Sequence, residues 1–247
     1  MKRFILPAII LLPLVTAAAA AAWELVASYP VPVSNARGYA RHTTVGGWTV
    51  GGGASPYVYL FAHPTSSIVY SFPAPGGAGA WGIGSELGLA LYVSNNQTSW
   101  IYNITTTGSL YSSFRCPIPG PADLDVRGYP LCLYVAIPDR NVIAVLDRTT
   151  GSLVSTFKGP GSRPTGCCGY GMTLISDSAT HTIYEDGVPV ITGIQTPVGI
   201  DEAHTTDSTD IGHFLFVVDA ATNYIYRYDD WVAVEPASLG RVKALFR

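Results

Sequence analysis

The sequence predicts an all-β fold, a five-bladed β-propeller, because one β-hairpin recurs along the chain at an almost constant interval. Residues 141–160, NVIAVLDRTTGSLVSTFKGP, combine an apolar β-branched run, a turn and an alternating second strand. Copies of this hairpin occupy residues 100–114 and, with other turn residues, 58–72. The three copies close on aromatic residues 42 and then 43 positions apart, namely Phe72, Phe114 and Phe157. Such a period is typical of propeller blades or stacked repeats.

The first 22 residues, MKRFILPAIILLPLVTAAAAAA, predict a secretory signal peptide. Lys2 and Arg3 precede an apolar run, and a block of alanines offers small-residue cleavage sites. The alternative is a membrane anchor, which two internal prolines and the missing flanking charge disfavour. We therefore expect a secreted, periplasmic or cell-surface protein that has no transmembrane span after signal cleavage and begins at or near Trp23.

Composition favours one all-β domain and argues against nucleic acid as a partner. The chain has 14 basic and 17 acidic residues, a net charge of -3, and loss of Lys2 and Arg3 with the signal leaves 12 against 17, or -5. Charged residues make up 13%, against about 25% in an average soluble domain. The 26 glycines and 18 prolines fit strands with short connections, and about 225 residues suffice for one such domain.

The two ends of the repeat region complete each other. Residues 24–30, ELVASYP, match the outer half of the repeated hairpin, but no first hairpin strand precedes them. At the other end, residues 214–218 and 223–228 supply inner strands without a matching outer strand. We therefore predict that the N-terminal strand pairs with the C-terminal blade, which closes the ring and leaves no sheet edge bare.

Between these ends each unit starts with a small-residue segment that suits an innermost strand, where backbones crowd around the axis. These segments are residues 37–40, 81–84, 123–126, 166–169 and 198–201. A second strand follows each of them, at residues 48–50, 89–93, 131–136, 172–176 and 214–218. In the fourth unit Asp186-Gly187 predicts a tight turn. Five units of four strands result, and a six-bladed ring would need a unit that is not found.

The predicted domains are thus a signal peptide at residues 1–22, a propeller at 23–231 and a tail at 232–247. The tail, VAVEPASLGRVKALFR, interleaves apolar and basic residues and could form a short amphipathic helix from Ser238. One interpretation is a terminal segment packed on the ring or disordered. The other is a sorting or cell-surface attachment segment.

The segments GSLVSTFKGPGSRPTG, GSLYSSFRCPIPGPAD and LYVSNNQTSWIYNI resemble the repeats of secreted bacterial β-propellers of the NHL or YVTN type. The resemblance covers residues 23–231 and rests on the repeat pattern. It implies a propeller and, commonly, a binding platform, although related rings include lactonases, streptogramin lyases and five-bladed glutaminyl cyclases. No motif here matches the catalytic sites of those enzymes, so no catalytic residue is assigned.

In a propeller, the links between blades and the turns between second and third strands emerge on one face, where ligands usually bind. Side chains of mixed charge, with one tryptophan, are expected near this mouth: Arg37, Trp81, Asp123, Asp139, Arg163, Asp177, Asp201 and Asp219. Their chemistry suits a polar or sugar-like ligand or a protein partner. The alternative is that these residues satisfy turn backbones, as Asp and Asn often do.

Carboxylates recur at equivalent places in two units and could bind a metal near the axis: Asp123, Asp125, Asp201 and Glu202. We assign no cofactor, with a structural calcium ion at these four residues as a weak alternative, because no calcium-loop motif is present. The five histidines (His42, His63, His181, His204 and His213) lack zinc-site spacing and are expected in turns or at the surface. Nucleophile-elbow, dinucleotide and P-loop motifs are absent from the sequence.

Four cysteines in an exported chain suggest two disulfides with three possible connectivities. Cys116 and Cys132 flank a predicted blade boundary, where they could meet, and Cys167 and Cys168 would then be left to each other. A structural role is favoured, and free thiols remain the alternative in a reducing compartment.

Three functions remain open from the sequence. The favoured one is a secreted, non-catalytic propeller that binds an extracellular protein, a glycan or a small ligand through its loop-bearing face. The second is an exported enzyme, a lyase or a glutaminyl-cyclase-like cyclotransferase, with acid and base among the four axial carboxylates. The third is a structural subunit of an extracellular assembly, suggested by the low charge and the many glycines and tyrosines.

Overall fold

The structure, a computed structural model, describes residues 23–42, 46–52, 56–63, 65–86, 88–127, 132–169, 173–207 and 210–230. This part of the chain contains 20 β-strands and one short 3-10 helix, Pro138–Arg140. Nowhere in it is there a helix with the length and apolar character needed to cross a membrane. The predicted signal peptide and the tail at 232–247 lie outside the described residues and stay predictions.

The strands form five antiparallel sheets of four, which are the blades of a propeller. The first strand in the chain is β1 (Glu24–Pro30). Blade 1 contains β2 (Ala36–Arg41), β3 (Gly46–Gly51), β4 (Tyr57–Ala62) and β5 (Ile68–Pro73). Blade 2 contains β6 (Ala80–Glu86), β7 (Ala90–Asn95), β8 (Trp100–Thr105) and β9 (Leu110–Arg115). Blade 3 contains β10 (Leu124–Arg127), β11 (Cys132–Ile137), β12 (Val142–Asp147) and β13 (Leu153–Lys158).

Blade 4 contains β14 (Pro164–Cys168), β15 (Leu174–Asp177), β16 (Thr182–Glu185) and β17 (Val188–Thr192). Blade 5 contains β18 (Pro197–Asp207), β19 (Asp210–Asp219), β20 (Tyr224–Asp229) and, as its outer strand, β1. The five-bladed propeller predicted from the repeats is therefore confirmed.

The closure of the ring follows the prediction from the two incomplete ends. Strand β1 runs antiparallel to β20, with Leu25 opposite Tyr228 and Tyr29 opposite Ile225. The backbone groups of β20 that would form a bare edge are therefore paired by the N-terminal strand. Blade 5 is therefore built from both ends of the repeat region, and the link from β1 to β2 connects it to blade 1.

The fourth blade shows why its outer hairpin is short. Asp186 and Gly187 both have positive φ angles, 47° and 85°, between the paired residues Glu185 and Val188. Two central residues of positive φ characterise the type I′ turn, which matches the twist of a two-residue hairpin. The Asp-Gly pair thus shortens the loop without changing the number of strands.

The apolar core consists of five layers, one at each interface between neighbouring blades. Between blades 1 and 2, for example, Trp48 and Val58 pack with Ile83. Strands β3 and β7 are buried along their full length, whereas the outer strand β9 exposes its first four residues. Because each inner strand is covered on both sides, its side chains either enter these layers or point to the axis.

Candidate functional site

One ring of equivalent positions on the inner strands meets at the axis of the propeller. Four of the five are glycine, and the set is Gly38, Gly82, Asp123, Gly166 and Gly199. A Cβ added to Gly199 would lie 2.4 Å from the Cα of Gly38, and one added to Gly38 would lie 2.7 Å from the backbone nitrogen of Ile83. The backbones are therefore in contact around the axis at this level.

Asp123 fills the space that the four glycines leave. Its Oδ1 accepts a hydrogen bond from the backbone N–H of Ile83 at 3.2 Å, and its Oδ2 accepts one from that of Ile200 at 3.0 Å. The side chain is fully buried, and this burial raises the pKa of Asp123 well above its usual range. The structure thus places Asp123 inside the ring, where it joins blades 2, 3 and 5, and not at an open mouth.

Two further carboxylates lie farther along the same inner strands. Asp125 accepts a hydrogen bond from the backbone N–H of Val126 at 2.8 Å and pairs with the Nε of Arg127 at 3.3 Å. Asp201 accepts one from the backbone N–H of Arg41 at 2.5 Å. Burial raises the pKa of Asp125 to about 6, although Arg127 opposes the shift, and burial and then the charge of Asp125 raise that of Asp201. The structure therefore brings these two carboxylates close enough to interact.

Glu202 belongs to a second group, on blade 5. Its carboxylate contacts the Nε2 of His213, and the Nδ1 of His213 lies 2.6 Å from Oδ2 of Asp230. The ring of Trp23 packs edge-on against this histidine at 4.9 Å between ring centres. Burial disfavours the charged imidazole, but the two carboxylates outweigh it and raise the pKa of His213 to about 9.

The four carboxylates proposed from the sequence as weak metal ligands thus lie in three environments. Asp123 is buried in the axial ring, Asp125 and Asp201 form an interacting pair, and Glu202 contacts His213. Within the described ranges no group of three or more His, Cys, Asp or Glu side chains is arranged to hold a metal ion. The structural calcium ion stays the weak alternative that the sequence offers.

The loop-bearing face is shaped by side chains that bind turn backbones. Oδ1 of Asp177 accepts hydrogen bonds from the backbone N–H groups of Ala179 and Thr180, at 3.0 and 2.9 Å, and its Oδ2 from that of Arg163. Asp219 likewise accepts from the backbone N–H groups of Thr196 and Ala221. Both carboxylates therefore connect a turn within their blade to the link that precedes it.

Asp139 and Arg163 are exposed on this face and approach each other to 3.9 Å. An exposed ion pair of this length contributes little to stability. The remaining two residues expected at the mouth, Arg37 and Trp81, are in direct contact, with the guanidinium carbon of Arg37 3.6 Å from the centre of the Trp81 ring.

Arg37 and Trp81 line a cavity of about 270 Å³ between blades 1 and 2. Its other lining residues are Gly52, Gly79, Ala80, Asn96 and Gln97. The lining residues therefore comprise one arginine, one tryptophan, one asparagine and one glutamine besides glycine and alanine, and no acidic residue is among them. The sequence places two of these residues at the mouth but does not reveal the cavity, because its wall comes from separate loops.

Asn95 holds this wall in place and was not singled out by the sequence analysis. Its Nδ2 donates hydrogen bonds to the carbonyls of Gly76 and Ala78, at 3.3 and 3.0 Å, and its Oδ1 accepts from the backbone N–H groups of Gln97 and Thr98. The side chain is fully buried. One amide thus fixes both the blade link and the turn that form the cavity, and its location before the Gln97-Thr98 turn is the signal that could have identified it.

The four cysteines are free thiols in the structure, so the two predicted disulfides are not formed. Cys116 follows β9 at the loop-bearing face and donates its backbone N–H to the carbonyl of Ser99. Cys132 begins β11 opposite Arg127, at the other end of a blade. Cys167 and Cys168 are adjacent on β14 and fully buried, and burial raises the pKa of both thiols.

His63 lies in the turn after β4, as expected, whereas His213 lies within β19 and not in a turn. His63 packs against the rings of Tyr29 and Phe216, at 4.3 and 5.7 Å, and its Nε2 is 3.0 Å from the hydroxyl of Tyr39. Burial lowers the pKa of His63 to about 4. His213 contacts two carboxylates, and the partners of both histidines come from other strands, which the sequence spacing does not show.

Fold and cavity together define a five-bladed β-propeller with a closed axis and a polar recess on its loop-bearing face. No protein-family model matches the chain, and no curated protein matches it. Several solved structures, however, match the fold of the chain. The chain is similar to Myxococcus xanthus glutaminyl cyclase, with 12% identity, a TM-score of 0.65, and 84% of this chain and 95% of that chain covered.

It is also similar to a catalytically inactive virginiamycin B lyase from Staphylococcus aureus with quinupristin, with 18% identity, a TM-score of 0.50 and coverage of 81% and 68%. A chain of a nidogen/laminin complex matches with 12% identity, a TM-score of 0.52 and coverage of 78% of each chain. At these identities the similarity shows the propeller fold alone. The matched proteins include both enzymes and a member of a protein complex, so the function must be argued from the site.

Proposed function

We propose that the chain is an exported, non-catalytic propeller of the NHL or YVTN type that binds a glycan, a protein or a small ligand through its loop-bearing face. The observation that carries this proposal is the cavity between blades 1 and 2, which is lined by Arg37, Trp81, Asn96 and Gln97. Concave sites with a few convergent polar groups are typical ligand sites. The predicted signal peptide supports export, and the tail at 232–247 is proposed as a surface-attachment segment.

The arrangement of the other carboxylates supports binding over catalysis. Asp177 and Asp219 are committed to turn backbones, and Asp123 is fully buried in the axis. Within the residues that the structure describes, the interacting pair Asp125 and Asp201 favours an exported enzyme, because the raised pKa values would suit an acid and a base.

The test is to screen the full chain against glycan and peptide arrays, with the variants Trp81→Ala and Trp100→Ala. Trp81 lines the cavity, whereas Trp100 is 38% exposed and does not line it. We expect Trp81→Ala to abolish binding of at least one class of array ligand and Trp100→Ala to retain it. Binding that is unchanged in a folded Trp81→Ala protein would contradict the proposed site.

Mass spectrometry of the bound ligand after incubation separates binding from turnover. The binding proposal predicts an unaltered ligand. A product that forms with the native protein and not with Asp125→Asn would establish the enzyme instead.

A further inference from the structure

The guanidinium of Arg37 has unused hydrogen-bonding capacity. In the part of the chain that the structure describes, the guanidinium lies against the face of Trp81, and no carboxylate pairs with it. A guanidinium carries five N–H donors in a plane, and stacking occupies a face of that plane but not its edge. Arg37 is half-buried, and this burial lowers its pKa. A cation that is partly removed from water without a counter-ion favours an anionic partner.

The stacking also fixes the orientation of the donors. At 3.6 Å the guanidinium carbon is in van der Waals contact with the indole ring. The backbone of Gly52 runs beside the guanidinium and limits its movement, since a Cβ added to Gly52 would lie 3.3 Å from the Nε of Arg37. An arginine held in this way loses less side-chain entropy when it binds a ligand, and its parallel N–H groups match the two oxygens of a carboxylate.

Asn96 and Gln97 also line the cavity and indicate which other groups a ligand with a carboxylate would carry. Asn96 donates its Nδ2 to the carbonyl of Pro121 at 3.3 Å, which leaves its Oδ1 as an acceptor, and Gln97 is held at the wall through the backbone contact with Asn95. Amide side chains can accept from and donate to hydroxyl groups. The cavity, about 270 Å³, lies below the roughly 300–1,000 Å³ of sites for drug-sized ligands, so it suits a single ring.

We propose that this cavity binds a carboxylated monosaccharide, a hexuronate, whose carboxylate pairs with the Arg37 guanidinium and whose ring hydroxyls meet Asn96 and Gln97. This inference rests on the proposed binding function and assigns its ligand class. Trp81 acts as a positioning residue that holds the guanidinium flat. The chain carries a net negative charge, which does not attract an anionic ligand. Recognition of the carboxylate therefore depends on the local positive charge of Arg37.

The test is calorimetric titration of the full chain with D-galacturonate and D-glucuronate, and with galactose, glucose and acetate as probes of each half of the ligand. We expect one of the two uronates to bind about tenfold or more tightly than its neutral sugar and than acetate, as a charge-assisted bidentate contact would give. Arg37→Lys keeps the charge but not the planar fork, and should remove most of this preference. Arg115→Lys, on the exposed face of β9, is the matched control and should bind as the native protein does.

Equal affinity for acidic and neutral sugars, or a preference that persists in Arg37→Lys, would overturn the inference. So would an equal or greater affinity for galactose 6-sulfate, which would indicate a tetrahedral oxyanion instead of a carboxylate. If no uronate binds while array ligands still require Trp81, the ligand class is wrong and the binding function stands. If array binding is independent of Trp81, the proposed function itself fails.

Discussion

At the scale of single residues, hydroxyl groups connect neighbouring blades next to the axis. Ser94 accepts a hydrogen bond from the backbone N–H of Gly82 at 2.8 Å and donates to the carbonyl of Ala122. In blade 4, Thr165 donates to the carbonyl of Pro197 in the next blade. Gly82 and Pro197 lie at irregularities of strand pairing and Ala122 precedes β10, so side chains supply hydrogen bonds that the ladder does not.

We therefore expect Ser94→Ala to lower the free energy of unfolding by about 1–3 kcal/mol, because it leaves a buried donor and a buried acceptor without their partner. Ser113→Ala, on the exposed outer strand of the same blade, is the control and should change it by less than about 0.5 kcal/mol. Urea unfolding of both variants measures the difference. Equal effects would show that the axial hydroxyl is not important.

Residue patterns predicted some of these roles and missed others. Asp177 and Asp219 bind turn backbones, which is the alternative that the sequence offers because Asp readily does so. The partners of Ser94 and Asp123 are 12 to 77 positions away, and only the ring geometry brings them together. The division of the four carboxylates among three environments was not predictable for the same reason.

At the scale of elements, the strands were predictable because each blade repeats one hydrophobic pattern, and the Asp-Gly turn explained the short fourth hairpin. The role of Trp23, whose side chain anchors β1, was not predictable from this pattern. Trp23 is 8% exposed, donates its indole N–H to Oε2 of Glu185 at 2.9 Å, and belongs to the core layer between blades 4 and 5. It therefore links the start of the closing strand to the neighbouring blade.

Trp23→Ala should destabilise the protein by about 3–5 kcal/mol, the range for loss of a large buried aromatic side chain. The more exposed Trp100 offers a comparison, and Trp100→Ala should cost clearly less. Chemical denaturation followed by circular dichroism gives both values. Similar midpoints for the two variants would mean that Trp23 does not anchor β1.

At the scale of the whole molecule, the blade that closes the ring contains a histidine held between two carboxylates. His213 lies between Glu202 and Asp230 on the blade that unites the two ends of the chain, and its pKa is raised from 6.5 to about 9. A raised pKa in the folded state means that the protonated ring stabilises the fold. This stabilisation is complete below about pH 6.5 and is lost as the pH rises through about 9.

The difference in unfolding free energy between the native protein and His213→Gln should therefore be largest near neutral pH or below and shrink as the pH approaches 10. Urea titrations across this range measure it, and effects of the axial carboxylates that are common to both proteins cancel in the comparison. A difference that stays constant with pH would contradict the assigned role of the imidazolium.

The pairing of β1 with β20 also determines when folding can finish. The strand made first can reach its partner only after the last blade exists, about 200 residues later. During synthesis or export from the N-terminus, blades 1 to 4 can assemble in order, but the opening strand must wait with its backbone groups unpaired. A chain that stalls or is truncated before β20 is therefore left with an open ring and an unpaired β1, which makes incomplete copies the ones that cells should recognise and degrade.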